Sequence, residues 1–183
     1  MALKATIFKA DLSIADMDRN YYADHALTLA RHPSETDERM MVRLAAFALN
    51  AHERLAFGGG ISTEDEPALW RRDLTGAIEQ WIDVGLPEAR DLLRACGRAG
   101  EVIVYAYGGR AVPPWWSRVK DELQSLDNLF VFEWPKDQTL ELTAFALRTM
   151  KLQCSIQEGG ALFSDGQRAV ELMASALKGR SVN

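Results

Sequence analysis

The sequence predicts an α/β fold: a mixed β-sheet with flanking helices, an N-terminal β-hairpin and further β-strands at the C-terminus. Three observations lead there. Residues 3–15 and 21–31 alternate between apolar and polar side chains and carry β-formers such as Thr6, Phe8, Ile14, Tyr21 and Leu27, the period of half-buried strands. Pro33-Ser34-Glu35-Thr36-Asp37 then signals the start of a helix. Further on, the near-continuous apolar runs at 101–107 and 129–134 are separated by a helical stretch, the pattern of parallel strands joined by a crossover helix.

The elements follow in order. The polar stretch 15–20 joins the first two strands as an antiparallel pair. The hydroxyls and acids of 33–37 resemble a capping box, with Ser34 as the N-cap, and open a helix over about 35–54. Glu38 lies on its apolar stripe with Met41 and Ala45. Gly58-Gly59-Gly60 interrupts the pattern, and a short strand is expected within 55–62. Residues 68–72 and 77–84 read as a hairpin about the turn Asp73-Leu74-Thr75-Gly76. Leu86-Pro87 starts a helix that reaches Gly97–Gly100, with Leu92, Leu93 and Cys96 facing inward. After the central strand 101–107, Pro113-Pro114 opens a helix to about Leu126, with one of Trp115 and Trp116 anchoring it. Strand 129–134 follows, and then a helix capped by Asp137 or Thr139 that ends near Arg148. The tail alternates again over 149–157, and Asp165-Gly166 signals a hairpin turn. A last strand is expected near 168–174, although 169–177 also suits a helix.

At 183 residues, with 48% hydrophobic and 26% charged side chains, the chain is expected to form one domain spanning 1–183 and not a disordered or fibrous segment. The 21 Lys and Arg against 26 Asp and Glu leave a net charge of -5, which argues against attachment to nucleic acid by bulk charge. It leaves room for a local basic face around an acidic site. Cys96 and Cys154 form no CxxC pair, and no signal segment or membrane-length apolar run is visible. A cytoplasmic monomer with no membrane partner is expected.

The chemistry-bearing residues are carboxylates. If the hairpin pairs about a centre near 74–75, Glu66 stands opposite Asp83. By alternation Glu79, Trp81 and Asp83 share one strand face, and Glu38 from the preceding helix is placed to reach it. Such converging oxygens suit Mg²⁺ or Mn²⁺. The competing reading of the same spacing is a set of solvated loop acids. Arg90, Arg94 and Arg98 recur every four residues. They form either a phosphate-tracking stripe or a solvated face paired with Glu88 and Asp91. Arg110 follows the central strand, at the end where α/β sheets bind ligands. His32 beside Ser34 suggests a nucleophile, but the helix cap explains Ser34 and no GxSxG is present.

These residues carry a resemblance. Leu27–Met41, Glu64–Trp70, Trp81–Pro87, Arg148–Met150, Gln153–Gln157 and the start Met1–Ile7 closely resemble the YaeQ family of bacterial proteins. The resemblance covers essentially the whole chain. It implies a variant PD-(D/E)XK, restriction-endonuclease-like core, matching the α-β-β-β-α-β order read over about 35–107. In that superfamily an acid starts the second strand and a (D/E)xK tripeptide lies on the third. The resemblance puts Glu66 at the first acid, Asp83-Val84-Gly85 at the tripeptide and Glu38 at the helical acid; Glu79, from its place on the strand, is a candidate fourth ligand. Gly85 departs from the pattern, because the lysine that orients or activates the attacking water is missing. Arg90 and Arg94, or Lys120 and Lys151, are candidates to replace it. Two functions follow. One is a metal-dependent nuclease or phosphodiesterase using Glu38, Glu66, Asp83 and Arg90, with Arg90, Arg94 and Arg110 on nucleic acid. The other is an inactive relative that serves as a binding or regulatory module.

Overall fold

A computed structural model describes residues 4–59, 61 and 65–179. Gly60 and Glu64, named above, lie outside the described residues, as do Met1–Leu3. Two compact units interleave along the chain. Of the described residues, 4–50 join Asp137–Met173 in the first, and Ala51–Lys136 join 174–179 in the second. The strands accordingly divide between two mixed sheets, which corrects the expectation of one. Among the described residues no helix is long and apolar enough to cross a membrane.

The first unit is built on a five-stranded sheet. Strands β1 (Thr6–Asp16) and β2 (Tyr21–Arg31) form the expected hairpin, with Thr6 opposite Arg31 and Asp16 opposite Tyr21. Strand β8 (Thr149–Gln157) lies parallel to β1, and the hairpin β9 (Gly160–Ser164) and β10 (Ala169–Met173) completes the order β10-β9-β8-β1-β2. Alternation is clean. Phe8, Ala10, Leu12 and Ile14 are buried with Met150, Leu152, Cys154 and Ile156, while Lys9, Asp11, Lys151 and Gln153 are exposed. Burying one face makes the register costly to slip, because a one-residue shift would turn the apolar set outward.

Helix α1 (Asp37–Leu49) packs against β1, and its Phe47 meets the His25 ring edge-on at 5.1 Å. It is shorter than the predicted 35–54, because Asn50 caps it and Leu55 begins the next strand. Its N-cap is Thr36, whose Oγ1 accepts from the Arg39 amide at 3.1 Å. The capping box fails, since the third helical position holds Arg39, and Ser34 instead meets His32 Nδ1 at 2.6 Å. Glu35 is buried. It accepts from Arg43 Nε at 2.7 Å and Nη2 at 2.9 Å, and from Arg39 Nη1 at 2.8 Å. Arg43 also donates to the Ala30 carbonyl at the end of β2. One ion pair therefore ties helix, connection and strand together.

The second unit carries a six-stranded sheet ordered β11-β7-β6-β5-β4-β3. Strands β3 (Leu55–Phe57), β4 (Leu69–Arg72) and β5 (Ile78–Val84) run antiparallel in succession. Strands β6 (Ala99–Ala106) and β7 (Leu129–Glu133) continue parallel to β5, and β11 (Ser175–Lys178) closes the edge against β7. Helices α2 (Ala89–Arg98) and α3 (Val112–Leu123) supply the crossovers and share a core with the sheet: Leu92, Val102, Val104, Trp115, Val119 and Val131. Trp115 is the anchor predicted from the tryptophan pair, and its Nε1 donates to the Pro87 carbonyl at 2.8 Å. That carbonyl lies before the helix, which begins at Ala89 and not at Pro87. Leu93 is exposed, contrary to expectation; Ala89, Leu92 and Ala95 form the inner face. The last predicted helix is also short. Helix α4 (Lys136–Glu141) gives way to a 3-10 turn over Leu142–Phe145, and Thr139 lies inside α4 and not at its cap.

Removing one member of a buried ion pair strands the other charge away from water. Arg43→Ala is therefore expected to cost about 3–5 kcal/mol, read as a lower midpoint in urea unfolding. A loss under about 1 kcal/mol, the size of a surface pair, would show that Glu35 is not held as described.

Candidate functional site

The site predicted from the sequence depends on how β4 pairs with β5. Leu69 stands opposite Ile82, and Trp70 opposite Trp81. Continuing that register brings Ala68 opposite Asp83, so the expected Glu66–Asp83 pairing is corrected. The shift is by two positions along the strand, which keeps the face and changes the neighbour. The Ala68 amide donates to Asp83 Oδ1 at 3.3 Å, and Trp81 Nε1, two residues along β5, donates to Asp83 Oδ2 at 2.9 Å. Glu66 precedes the strand, and its Oε2 accepts from the Gly59 amide at 2.6 Å. Both carboxylates thus act as acceptors that hold the chain entering β4.

Glu79 does not share the Trp81–Asp83 face. The pairs Arg71–Gln80 and Arg72–Ile78 leave Glu79 as an extra residue on β5, a bulge that breaks alternation. Its Oε2 meets Arg71 Nε at 2.8 Å and Arg54 Nη2 at 3.2 Å. Two guanidinium groups thus pair with it, and the expectation that it shares the Trp81–Asp83 face is corrected. Glu38 belongs to the other compact unit. It is half-buried, and its Oε1 accepts from Thr139 Oγ1 at 2.8 Å. Among the described residues, no three His, Cys, Asp or Glu side chains gather closely enough to hold a metal ion. Mg²⁺ prefers near-ideal octahedral oxygen ligands and usually keeps several waters. The donor set Glu66 and Asp83, each already accepting N–H bonds, does not form an all-protein cage for it.

Gly85, which the resemblance sets at the tripeptide's lysine position, has φ +100 and donates its amide to the Tyr105 carbonyl at 3.0 Å. That backbone region suits glycine and strains any side chain. A lysine at this position would therefore be strained.

The arginines fall into different surroundings. Arg90 is exposed, at 3.8 Å from its sequence neighbour Asp91. Arg110 is exposed after β6, in the 3-10 turn Gly109–Ala111. Lys120 on α3 and Lys151 on the outer face of the first unit's sheet are exposed too. Arg94 Nη1 reaches Asp65 Oδ1 at 3.3 Å, and Arg98 Nη1 reaches the Asp65 carbonyl at 3.2 Å.

What the sequence reading missed is an aromatic and cationic ladder across these strands. The Arg72 guanidinium lies 3.8 Å from the Trp70 ring centroid. Trp70 meets Trp81 edge-to-face at 6.1 Å, and Arg98 lies 5.2 Å from the Trp81 centroid. A signal was present. Trp70 and Trp81 lie on either side of the turn Asp73–Gly76, and cross-strand aromatic pairs favour being opposite.

Nucleophilic alternatives have little support. Burial pushes the Cys96 thiol up to about 11 and the Cys154 thiol up to about 12, so both stay protonated at neutral pH. The His32–Ser34 contact lies on an exposed connection.

A Cβ at Gly85 would meet no atom within 4 Å, so a substitution there costs backbone strain and no clash. Gly85→Ala and Gly85→Lys are expected to lower stability equally, by about 1–2 kcal/mol, in chemical denaturation. An unchanged midpoint for Gly85→Lys would contradict the left-handed backbone at this position.

Residues 1–174 match the sequence model of the YaeQ family, described as YaeQ protein. The uncharacterised YaeQ protein of Salmonella typhi is 47% identical over 176 residues, which span 96% of this chain and 97% of that one. Its counterpart in Escherichia coli (strain K12) is 45% identical over the same length and shares. Among solved structures, the YaeQ protein from Xanthomonas axonopodis pv. citri superposes with a TM-score of 0.93 at 45% identity, covering 96% of this chain and 99% of that one. The one from Pseudomonas syringae gives 0.92 at 36% identity, covering 96% and 97%. With a family match along most of its length and relatives this similar, the chain belongs to the YaeQ family.

Proposed function

We propose that this chain is a nuclease-fold relative that binds single-stranded nucleic acid without cutting it. The observation that carries the reading is the ladder Arg72–Trp70–Trp81–Arg98. Single-strand binders combine aromatic planes on which bases stack with cations that follow the backbone. Here both lie on one sheet face, beside α2 with its Arg90, Arg94 and Arg98. Trp81 is buried in the core and backs the ladder, while Trp70 is half-buried, so the remaining surface of Trp70 and the Arg72 plane offer the stacking platform. The order α1-β3-β4-β5-α2-β6 has the succession of the PD-(D/E)XK core, which supports descent from that fold.

The binding reading is preferred to hydrolysis for two physical reasons. Asp83 spends both oxygens on N–H donors of its own chain, and Gly85 supplies neither charge nor a proton-handling group. In a cutting site those groups would hold a cation and position water.

The test is fluorescence anisotropy with labelled single-stranded DNA and RNA at low salt, alongside a cleavage assay in Mg²⁺ and Mn²⁺. Binding is expected to weaken with salt and to fall about 5- to 150-fold in Trp70→Ala, the size of one lost base stack. Arg72→Ala, which leaves the core untouched, is expected to weaken binding in the same direction. No strand cleavage is expected. Absence of binding at low salt would overturn the reading. Cleavage abolished by Asp83→Ala would overturn it in favour of the metal-dependent enzyme.

A further inference from the structure

Arg94 and Arg98 lack the partners expected on their own helix. Glu88 faces Arg118 of α3 at 3.5 Å, and Asp91 lies beside Arg90. Their contacts come instead from Asp65, 29 residues before Arg94 and 33 before Arg98. Asp65 offers Oδ1 to Arg94 and its backbone carbonyl to Arg98, so one residue caps two guanidinium groups a helical turn apart. Arg98 at the same time lies over the Trp81 ring. Asp65 thus stands where the cationic end of the ladder meets α2.

We propose that Asp65 is a built-in competitor for the Arg94 and Arg98 anion seat, and that a nucleic-acid phosphate displaces it on binding. The inference rests on the binding function proposed above and names how that site is regulated. Three features make the contact replaceable. The Arg94–Asp65 distance of 3.3 Å is longer than a strong charge-assisted bond. Both side chains are open to water, Arg94 at 56% and Asp65 at 75% exposure, so the pair gains little. Only one carboxylate oxygen is engaged, whereas a phosphodiester presents two oxygens that match the guanidinium fork. The neighbouring Glu66 is anchored separately on the Gly59 amide, so Asp65 can let go without breaking that contact.

The experiment measures anisotropy of a labelled oligothymidylate at low salt with full-length wild type, Asp65→Asn, Arg94→Ala and the double variant. Glu122→Gln, on the exposed face of α3, controls for the change in net charge. Asp65→Asn is expected to tighten binding about two- to fivefold, which is the most a surface pair can withhold. Arg94→Ala is expected to weaken binding, and Asp65→Asn should then have no effect in the Arg94→Ala background. A gain in Asp65→Asn no larger than in Glu122→Gln, or a gain that survives Arg94→Ala, overturns the competitor role while leaving the binding function standing. No binding by wild type and all variants overturns both.

Discussion

The register of β4 against β5 is the constraint on which the site depends. Trp70 stands opposite Trp81, and two indoles meeting edge-to-face are worth about 0.5–1.5 kcal/mol beyond the area they bury. With that pair in place, the Ala68 amide is delivered to Asp83, and the Trp81 ring nitrogen closes on the same carboxylate. The register also forces the excess residue of β5 out as a bulge, and so hands Glu79 to Arg54 and Arg71. Strand β5 then pairs on its other side with β6, Trp81 beside Val102 and Val84 beside Tyr105. The chain leaves that pairing through the left-handed backbone of Gly85. A carboxylate in the middle of this scheme is a structural acceptor first, and its availability for other chemistry is what remains.

In the other unit the corresponding constraint is electrostatic. Glu35 and Arg43 are both nearly inaccessible, at 6% and 4% exposure. Burial pulls the Arg43 guanidinium below its usual range, and Glu35 pulls it back. Such a pair gains little over a well-packed apolar pair, yet it is costly to break. That asymmetry serves orientation. It leaves α1 one way to leave β2, and so determines how Met40, Leu44 and Phe47 enter the core.

Much of the backbone was legible because local rules suffice where one face is buried. Alternation located β2 at Tyr21–Arg31 and β8 at Thr149–Gln157, and Asp73–Gly76 turned where its residues demand. The errors have a common physical origin in tertiary contacts that local pattern does not carry. Ser34 looked like a cap, but Thr36 lies nearer the helix, and His32 takes the Ser34 hydroxyl. Pro87 looked like a helix start, but its carbonyl serves Trp115 from another helix. The α4 pattern read through to Arg148, yet the chain tightens into a 3-10 turn by Leu142. Two sheets appeared as one because the first unit takes strands from both ends of the chain and the second adds a C-terminal strand to those of the middle, so no composition shift marks a boundary. Of the candidate acids, Glu66, Glu79 and Asp83 fall on or beside β4 and β5, while Glu38 lies on α1 in the other unit. Their pairing was misplaced because a centre drawn through the turn ignores both the bulge and the tryptophan pair.

The net charge of -5 bears on mechanism through where the charges meet. Glu79 takes up two arginines, Asp65 caps two more, and Asp91 sits beside Arg90. A protein arranged this way has little long-range field to draw a polyanion, since association by counterion release needs cations that are free to meet phosphates. Affinity must then come from short-range contact. An indole carrying a guanidinium on its face is suited to such a contact, because stacking acts on every base. The surplus of acids and the arginine–tryptophan ladder are therefore compatible. In the binding role proposed above, the first works against indiscriminate attachment to nucleic-acid duplexes, whose bases are hidden in the stack, and the second is suited to strands whose bases are already open.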